Sequence, residues 1–148
     1  MLQLWLYRSR ATVSPRSASG RLIFRQARNA NRRYSITGYL HREDGFYVQY
    51  LEGPPEAVQA LKRRISCDRR HEAVETLAAG RVETRRFRGW DMAFTADETM
   101  RFHLWRGDGA EAMPIQSASP DRLLRFILAS VAEGRAASVE KWLPAWIN

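Results

Sequence analysis

Two polar side chains set within apolar strands are the first candidates for chemistry. Residues 45–53 predict a short strand, and alternation along it puts Gln49 on the same face as Tyr47 and Leu51. If that face is buried, the amide needs partners, because an unpaired buried polar group costs about 1–3 kcal/mol. A primary amide offers a donor and an acceptor that can exchange places at constant charge, which a carboxylate cannot do. A tyrosine hydroxyl, that of Tyr7, is the partner that we expect.

The elements that would position this pair follow from the periodicity of the chain. They are a strand over Leu2 to Tyr7, a helix from Leu22 to about Arg33, hairpin strands at Ile36 to His41 and Phe46 to Leu51 around Glu43-Asp44-Gly45, a helix through Ala57, Val58, Leu61 and Ile65, and strands at Val74 to Val82 and Trp90 to Phe94. This order predicts an α+β fold, a ferredoxin-like β-α-β-β-α-β sheet with an added strand and both helices on one face. The first and third strands are central neighbours in such a sheet, so Tyr7 and Gln49 should meet on the helix-covered face.

The C-terminal third of the chain is expected to cover the other face of the sheet. An amphipathic helix follows Ser119-Pro120-Asp121, and Val139 to Trp146 predict a second short helix. These helices should pack over the apolar residues of the opposite face, which are Leu2, Leu4, Leu6, Phe46 and Val48. We therefore divide the chain into a domain at 1–95, a connector at 96–118 and a helical extension at 119–148.

Composition narrows the class of protein. With 148 residues, 45% of them hydrophobic, the chain is long enough for one domain with a core of its own. The net charge of +8 comes mostly from scattered arginines, which is weak support for an anionic partner. A single cysteine, Cys67, excludes an internal disulfide, and no metal site is readable. The apolar start of the chain is too short to span a bilayer, so we expect a cytoplasmic protein without a membrane anchor.

Five motifs in order over residues 1–95 resemble the BLUF family of flavin-binding blue-light sensors. They are Leu6-Tyr7-Arg8-Ser9, Asn31 followed by Ile36-Thr37-Gly38, residues 46–53 from Phe46 to Gly53, Asp68-Arg69-Arg70-His71, and Arg86-Phe87 with residues 90–94 from Trp90 to Phe94. The resemblance implies a flavin between the two helices and against the sheet. FAD is the expected cofactor, with FMN or riboflavin as alternatives.

The resemblance also implies roles for single residues. Tyr7 matches the photoactive tyrosine of the family, Gln49 its switching glutamine, and Asn31 the amide that holds the pyrimidine edge of the flavin. The resemblance also predicts that six further residues belong to the flavin site: Ser9, Arg64, Asp68, His71, Trp90 and Met92. The sequence leaves open whether Trp90 points toward Gln49 or away from it.

The implied photochemistry is electron and proton transfer from Tyr7 through Gln49, after which the Gln49 amide stays rotated or tautomerised and the absorption moves to the red. One residue departs from the family pattern: Ala30 lies where relatives commonly have Asn or His. We expect this change to alter affinity or spectrum, and the photocycle to survive because Tyr7 and Gln49 are both present.

Each candidate also has a plain structural reading. Tyr7, Trp90 and Met92 can be core residues, Asn31 can end a helix, and His71 can be a surface histidine. The neighbouring arginines Arg63, Arg64, Arg69 and Arg70 read as a solvated face. Only the order of the five motifs favours a photoreceptor.

Two other functions fit the same fold. An RNA-recognition motif also carries aromatic residues on its third strand, but Asp44 replaces the basic residue expected there, and the base-stacking face would be the one predicted to lie under helices. We therefore expect no nucleic-acid partner. An acylphosphatase-like enzyme would need a phosphate-binding loop before the first helix, and none is present, so we expect no enzymatic activity.

The output of such a sensor is expected to pass to a separate effector protein. Short members of the family generally self-associate, so the resemblance also implies a homo-oligomer. The apolar residues near the C-terminus are candidates for an oligomer or effector surface, though packing on their own domain fits them equally well; these are Trp142, Leu143, Trp146 and Ile147.

Overall fold

The structure is a computed structural model that describes residues 1–14, 17–96, 101–107, 109–134 and 137–138. The strands in these ranges are β1 (Leu2–Ala11), β2 (Thr37–Glu43), β3 (Phe46–Gly53), β4 (His71–Val82), β5 (Ala93–Ala96) and β6 (Ala137–Ser138). They form one sheet in the order β4-β1-β3-β2-β5-β6. β5 runs parallel to β2, whereas the other neighbours are antiparallel. The predicted ferredoxin-like α+β fold with an added strand is confirmed.

Three α-helices accompany the sheet in the described ranges: α1 (Ala18–Arg33), α2 (Pro55–Cys67) and α3 (Pro120–Ala132). Ser17 caps α1, where its hydroxyl accepts a hydrogen bond from the Gly20 amide at 3.0 Å. Ser119 caps α3 in the same way. Pro120, like Pro55 in α2, occupies the first turn, where the missing N–H costs nothing.

The hairpin of β2 and β3 turns at the residues that the sequence predicts. Asp44 and Gly45 both have positive φ, 50° and 79°, between the paired residues Glu43 and Phe46. A two-residue turn with positive φ at both positions matches the twist of the strands that it joins. This turn fixes the register between β2 and β3, in which Gln49 lies opposite Leu40.

The sheet has two buried faces, which we name by what covers them. The site face lies under α1 and α2, and its buried core includes Trp5, Tyr7, Ile23, Leu40, Tyr47, Leu51, Val58, Met92 and Phe94. The α3 face lies under α3, and its core includes Leu6, Tyr39, Val48, Tyr50, Phe102, Trp105, Ile115, Leu123, Phe126 and Ile127. The predicted cover of the second face by a C-terminal helix is therefore confirmed.

The sequence placed the added strand too early. It predicted a strand over Trp90 to Phe94, but the chain turns first, with the Trp90 amide bonded to the Phe87 carbonyl at 3.0 Å and Gly89 at a φ of +83°. The strand consequently begins at Ala93. β6, which pairs with β5, was not predicted.

The segment between β5 and α3 is anchored to the α3 face in spite of its weak periodicity. Two short 3₁₀ turns lie at Phe102–Leu104 and Ile115–Ser117. Phe102 and Ile115 have no exposed surface, and the Arg8 guanidinium donates to the Ile115 carbonyl at 3.0 Å. The expected helix over Val139 to Trp146 lies outside the described residues.

No described helix has the length and apolarity needed to cross a membrane. Within the same ranges no group of three or more His, Cys, Asp or Glu side chains is arranged to hold a metal ion.

Candidate functional site

Tyr7 and Gln49 form a buried hydrogen-bonded pair at the centre of the site face. β1 and β3 are antiparallel neighbours, and Tyr7 stands directly opposite Gln49 in their register. The Tyr7 hydroxyl donates to Gln49 Oε1, and the two residues are 0% and 3% exposed. The sequence predicts the Tyr7 hydroxyl as the partner of this buried amide, and the structure confirms that contact.

The other end of the amide has a much weaker partner. Gln49 Nε2 donates to the Met92 thioether sulfur at 3.7 Å. A thioether is a poor acceptor compared with a carbonyl or a hydroxyl. One end of Gln49 is therefore held firmly and the other loosely, so rotation of the amide costs little at its Met92 end.

The phenol of Tyr7 is held neutral by its surroundings. Burial raises the pKa of Tyr7 well above its ordinary value, and the neighbouring Tyr47 and Asp68 raise it further. The Trp5 ring stacks on the Tyr7 ring at a centroid distance of 4.3 Å and an angle of 25°. At neutral pH Tyr7 therefore keeps its proton for donation to Gln49.

Ser9 and His71 form a second polar pair beside Tyr7. Ser9 Oγ and His71 Nδ1 are 2.8 Å apart, and the His71 ring lies edge-on to the Tyr7 ring at 6.0 Å. Burial lowers the pKa of His71 to about 4; Asp68 opposes this shift and Arg70 adds to it. His71 is therefore a neutral imidazole at physiological pH, and it is partly buried in the lining of the site.

Asp68 and Arg70 form an ion pair at the junction of α2 and β4. The Arg70 guanidinium donates to Asp68 Oδ2 from Nη2 at 2.6 Å and to Oδ1 from Nε at 2.9 Å. These hydrogen bonds lower the pKa of the Asp68 carboxyl, with burial acting against them. Arg70 also donates to Gln26 of α1 at 2.9 Å, so the ion pair ties the two helices together at this end.

A cavity that opens to solvent separates α1 from α2 above β3; its empty space, counted together with the solvent at its mouth, is about 610 Å³. Its apolar wall consists of Ile23, Ala27, Ala30, Leu40, Leu61 and Ile65, and its polar lining consists of Gln26, Gln49, Arg64, Asp68, Arg70 and His71. An apolar wall with a few convergent polar groups is the usual lining of a small-molecule site. The predicted site residues Gln49, Arg64, Asp68 and His71 all line it.

Asn31 is buried one residue beyond the cavity lining at Ala30. Its Nδ2 donates to the Asp91 carbonyl at 2.6 Å. Its Oδ1 is buried and has no hydrogen-bond partner. An unpaired buried acceptor is costly, so this oxygen marks a place where a ligand donor would be stabilising.

The structure separates the two residues that the sequence placed at 90 and 92. Met92 lies on the site face in contact with Gln49. Trp90 packs against the core of the α3 face, so it is not brought together with the other predicted site residues.

Sequence reasoning missed three residues of the site. Gln26 lies at helical spacing between Ile23 and Ala30, and this shared helix face is the signal that was available. Arg70 was read as part of a solvated face, but its ion pair with Asp68 lies at the cavity. Trp5 has no sequence signal beyond strand alternation, which places it on the Tyr7 face.

Comparison with known proteins adds independent findings. The sequence model of the BLUF family, described as sensors of blue light using FAD, matches residues 2–93. Photoactivated adenylate cyclase subunit beta of Euglena gracilis is 37% identical over 79 residues, which are 53% of this chain and 9% of that protein. The chain thus spans about a tenth of that curated relative.

Solved structures are similar over most of their length. The dark-state structure of BlrB, a BLUF protein, has a TM-score of 0.75 at 27% identity and covers 90% of this chain and 96% of that one. BlsA in its ground state has a TM-score of 0.78 at 22% identity, with 94% and 93% covered, a likeness that bears on the fold alone.

Proposed function

Because this chain belongs to the BLUF family of blue-light sensors that use FAD, we propose that it converts light into a rearrangement of the hydrogen bonds of Tyr7 and Gln49. The family establishes a flavin-binding light sensor and not a catalytic module. The proposal concerns which residues respond to light and how. The direct hydrogen bond between Tyr7 and Gln49 is the observation that carries it.

The cavity residues fit a flavin. The space between α1 and α2 has aliphatic side chains on both helices, Ile23 on one and Leu61 on the other, which suits a flat ring system. Asn31 Oδ1 is an acceptor without a partner, as the N–H edge of a flavin requires. Asn31 and Gln49 would hold the polar edge of the ring, and the cationic Arg64 of the lining would suit the ribityl and phosphate part.

Bound FAD would supply the absorption of blue light and an excited state able to oxidise a neighbouring donor. Tyr7 is the donor placed for this role, because its phenol is neutral and already directs its hydrogen at Gln49 Oε1. Loss of an electron makes a phenol strongly acidic, so its proton would move along that existing hydrogen bond to Gln49. The electron and the proton would return to Tyr7 on recombination, so that only the orientation of the Gln49 amide differs afterwards.

The Gln49 amide has two orientations, so it could retain the change in hydrogen bonding. In the structure its Oε1 faces Tyr7 and its Nε2 faces Met92. A reversed amide directs the NH₂ group at the Tyr7 oxygen, which accepts, and turns Oε1 away from Tyr7, so the Tyr7 hydroxyl no longer donates to Gln49 and the weak bond to sulfur is lost. Two arrangements of similar energy are what a switch requires, and the change of hydrogen bonding at the flavin edge would produce the red shift.

The RNA-binding alternative lacks a surface in this structure. RNA-recognition motifs stack bases on an open sheet. Here the corresponding face is closed by α3, with Leu123, Phe126 and Ile127 almost fully buried against it. No comparison favours an RNA-binding function, so the light sensor is the only function that we propose.

The output is proposed to leave through the C-terminal part of the chain. We divide the chain into a sensory domain at 1–95, a connector at 96–118 and a helical extension at 119–148. Changes at Gln49 and Met92 would move β5 and, through it, the connector and α3. The cyclase activity named for the Euglena gracilis relative is not carried over at 9% coverage, so a separate effector protein and self-association are the proposed partners.

The replacement Gln49→Leu tests the proposal. Leucine keeps the approximate size of the side chain but can neither accept from Tyr7 nor reverse. We expect the variant to bind flavin and to show no light-induced red shift in its visible absorption. Gln59→Leu, the same change at an exposed position of α2, is the matched control and should shift normally. A normal red shift in the Gln49→Leu protein would refute the proposed role of the amide.

A further inference from the structure

A histidine and a glutamate are buried together inside the apolar core of the α3 face. His41 and Glu43 alternate along β2 onto that face, and both are 0% exposed. Burying two ionisable groups is costly even when they are paired, and well-packed apolar residues are often as stable or more so. Stability alone therefore does not account for the pair, and its hydrogen bonds point to what it does.

Glu43 holds the first turn of the connector. Its Oε1 accepts from the Phe102 amide at 2.5 Å and from His41 Nε2 at 3.1 Å, and its Oε2 accepts from the His103 amide at 3.0 Å. Burial alone would raise the pKa of Glu43, but the hydrogen bonds from His41 and the two amides outweigh it and hold the pKa below its ordinary value. The carboxylate is thus a charged clamp on the backbone at 102–103.

His41 connects this clamp to β5. Its Nδ1 lies 2.6 Å from Thr95 Oγ1, and the two residues stand side by side in the parallel register of β2 and β5. Thr95 Oγ1 also lies 2.5 Å from the Tyr39 hydroxyl. Thr95 has a single hydroxyl hydrogen, so it can donate to only one of these neighbours at a time and must accept from the other. The chain of hydrogen bonds is therefore sensitive to where Thr95 stands.

Thr95 is also three residues from the partner of Gln49. Met92 lies on the site face and accepts from Gln49, whereas Thr95 contacts Tyr39 of the α3 face. The sheet separates these faces, and Met92 directly precedes β5, whose residues Ala93 and Phe94 contribute to the α3 face and the site face in turn. A displacement of β5 that begins at Met92 changes the Thr95 contacts on the opposite side.

The helix beyond the connector is in contact with the same group. The His41 ring meets the Phe126 ring of α3 edge-on at 4.9 Å, and Phe126 packs on Phe102 at 5.3 Å. His41 thus contacts β5 and α3, and Glu43 contacts the connector.

We propose that Thr95, His41 and Glu43 form the link that passes the state of Gln49 from β5 to the connector and α3. This inference rests on the proposed function and names the residues of its output path. All three are positioning residues, since none of them lines the cavity.

The test is light-dependent hydrogen exchange on the full chain loaded with FAD, comparing Thr95→Val with Thr95→Ser. Valine keeps the β-branched shape and removes the hydroxyl, whereas serine keeps the hydroxyl. In the unaltered protein we expect light to change exchange in 101–107 and in α3 about tenfold, a size typical of coupling between sites. Thr95→Val should keep the red shift and lose this change, and Thr95→Ser should keep both.

The remaining outcomes separate the two proposals. A Thr95→Val protein whose connector and α3 respond to light as in the unaltered protein overturns the link, as does an unaltered protein that shifts to the red without any response there. An unaltered protein without a red shift overturns the proposed function itself. If Thr95→Val fails to fold, Glu43→Gln repeats the test, with faster exchange expected at the Phe102 and His103 amides in the dark and no further change in light.

Discussion

In the proposed mechanism, Tyr7 and Gln49 form a light-driven switch from a small number of atoms. The phenol has a proton to give, and the amide has one oxygen to receive it and one nitrogen to replace that oxygen. Burial keeps both groups away from water, which would otherwise compete for every one of these bonds. The proposed chemistry depends on the pair, because the amide can exchange its donor and acceptor at constant charge, whereas only the phenol has an electron and a proton to give.

His71 provides a pH test at the residue scale. Its pKa is lowered from 6.5 to about 4 in the folded protein. Between these pH values the unfolded chain binds a proton at His71 that the folded chain does not. The contribution of His71 to the free energy of unfolding is therefore constant above about pH 6.5 and falls as the pH drops toward 4. The slope should stay below about 1.4 kcal/mol per pH unit, the limit for one proton.

Urea unfolding at fixed FAD concentration from about pH 8 to about pH 4 measures this slope. His71→Gln removes the titrating group and keeps a polar partner for Ser9, so its slope between pH 6.5 and 4 should be smaller. Equal slopes in the two proteins would show that His71 is not a buried neutral histidine. The pKa of Asp68 is lowered as well. The stabilisation from its charge is therefore lost only at lower pH, as the pH falls below 3.8, the ordinary pKa of an aspartate.

Sequence reasoning predicted the centre of the site better than its edges. Strand alternation predicted that Gln49 is buried and needs a hydrogen-bond partner. The predicted order of strands, with the first and third as neighbours, identified Tyr7 as that partner. The position of Trp90 depends on a turn at 87–90 that no periodicity indicates. The role of Arg70 depends on its ion pair with Asp68 and on its hydrogen bond to Gln26 in the middle of α1. Such residues are placed by tertiary structure, which a local pattern does not contain.

At the scale of elements, Gly38 sets the closeness of β2 and β3. A Cβ at Gly38 would lie 2.1 Å from the Tyr50 carbonyl oxygen, which is backbone and cannot move aside. We expect Gly38→Ala to lower the free energy of unfolding by about 3 kcal/mol or more, as overpacking does in a rigid core.

Gly80 in β4 is the matched control, because a Cβ there meets nothing within 4 Å. Gly80→Ala should leave the free energy of unfolding unchanged or raise it by up to about 1 kcal/mol. Urea denaturation of the two variants makes the comparison. Equal stability would mean that β2 and β3 are not packed as closely as the structure places them.

Elements with strong patterns were predicted in type and approximate position, although α1 begins at Ala18 and not at Leu22 and β1 continues to Ala11, and elements with weak patterns were not predicted. α2 and α3 carry apolar side chains at helical spacing and begin at proline, and the structure confirms both. The connector was read as having little structure because its buried residues, Phe102, Trp105 and Ile115, follow no regular period. They are held by Glu43 and by Arg8, which are distant in sequence.

At the scale of the whole molecule, the sheet separates the site face, where the proposed flavin site lies, from the α3 face, which would carry the proposed response. The cavity lies under α1 and α2, and the connector and α3 lie on the opposite side. A signal between them must pass through a strand, and β5 begins at the residue after the Gln49 partner. Under the proposal, a change at the Gln49 amide must therefore pass through β5 before it reaches the connector and α3.

The visible absorption spectrum of the purified protein loaded with FAD, recorded in the dark and then under blue light, tests the central claim most directly. We predict a flavin spectrum that moves slightly to the red under illumination and returns in darkness. A protein that remains colourless after incubation with flavins, or one whose bound flavin shows no reversible shift, would contradict the claim that Tyr7 and Gln49 form a working light switch.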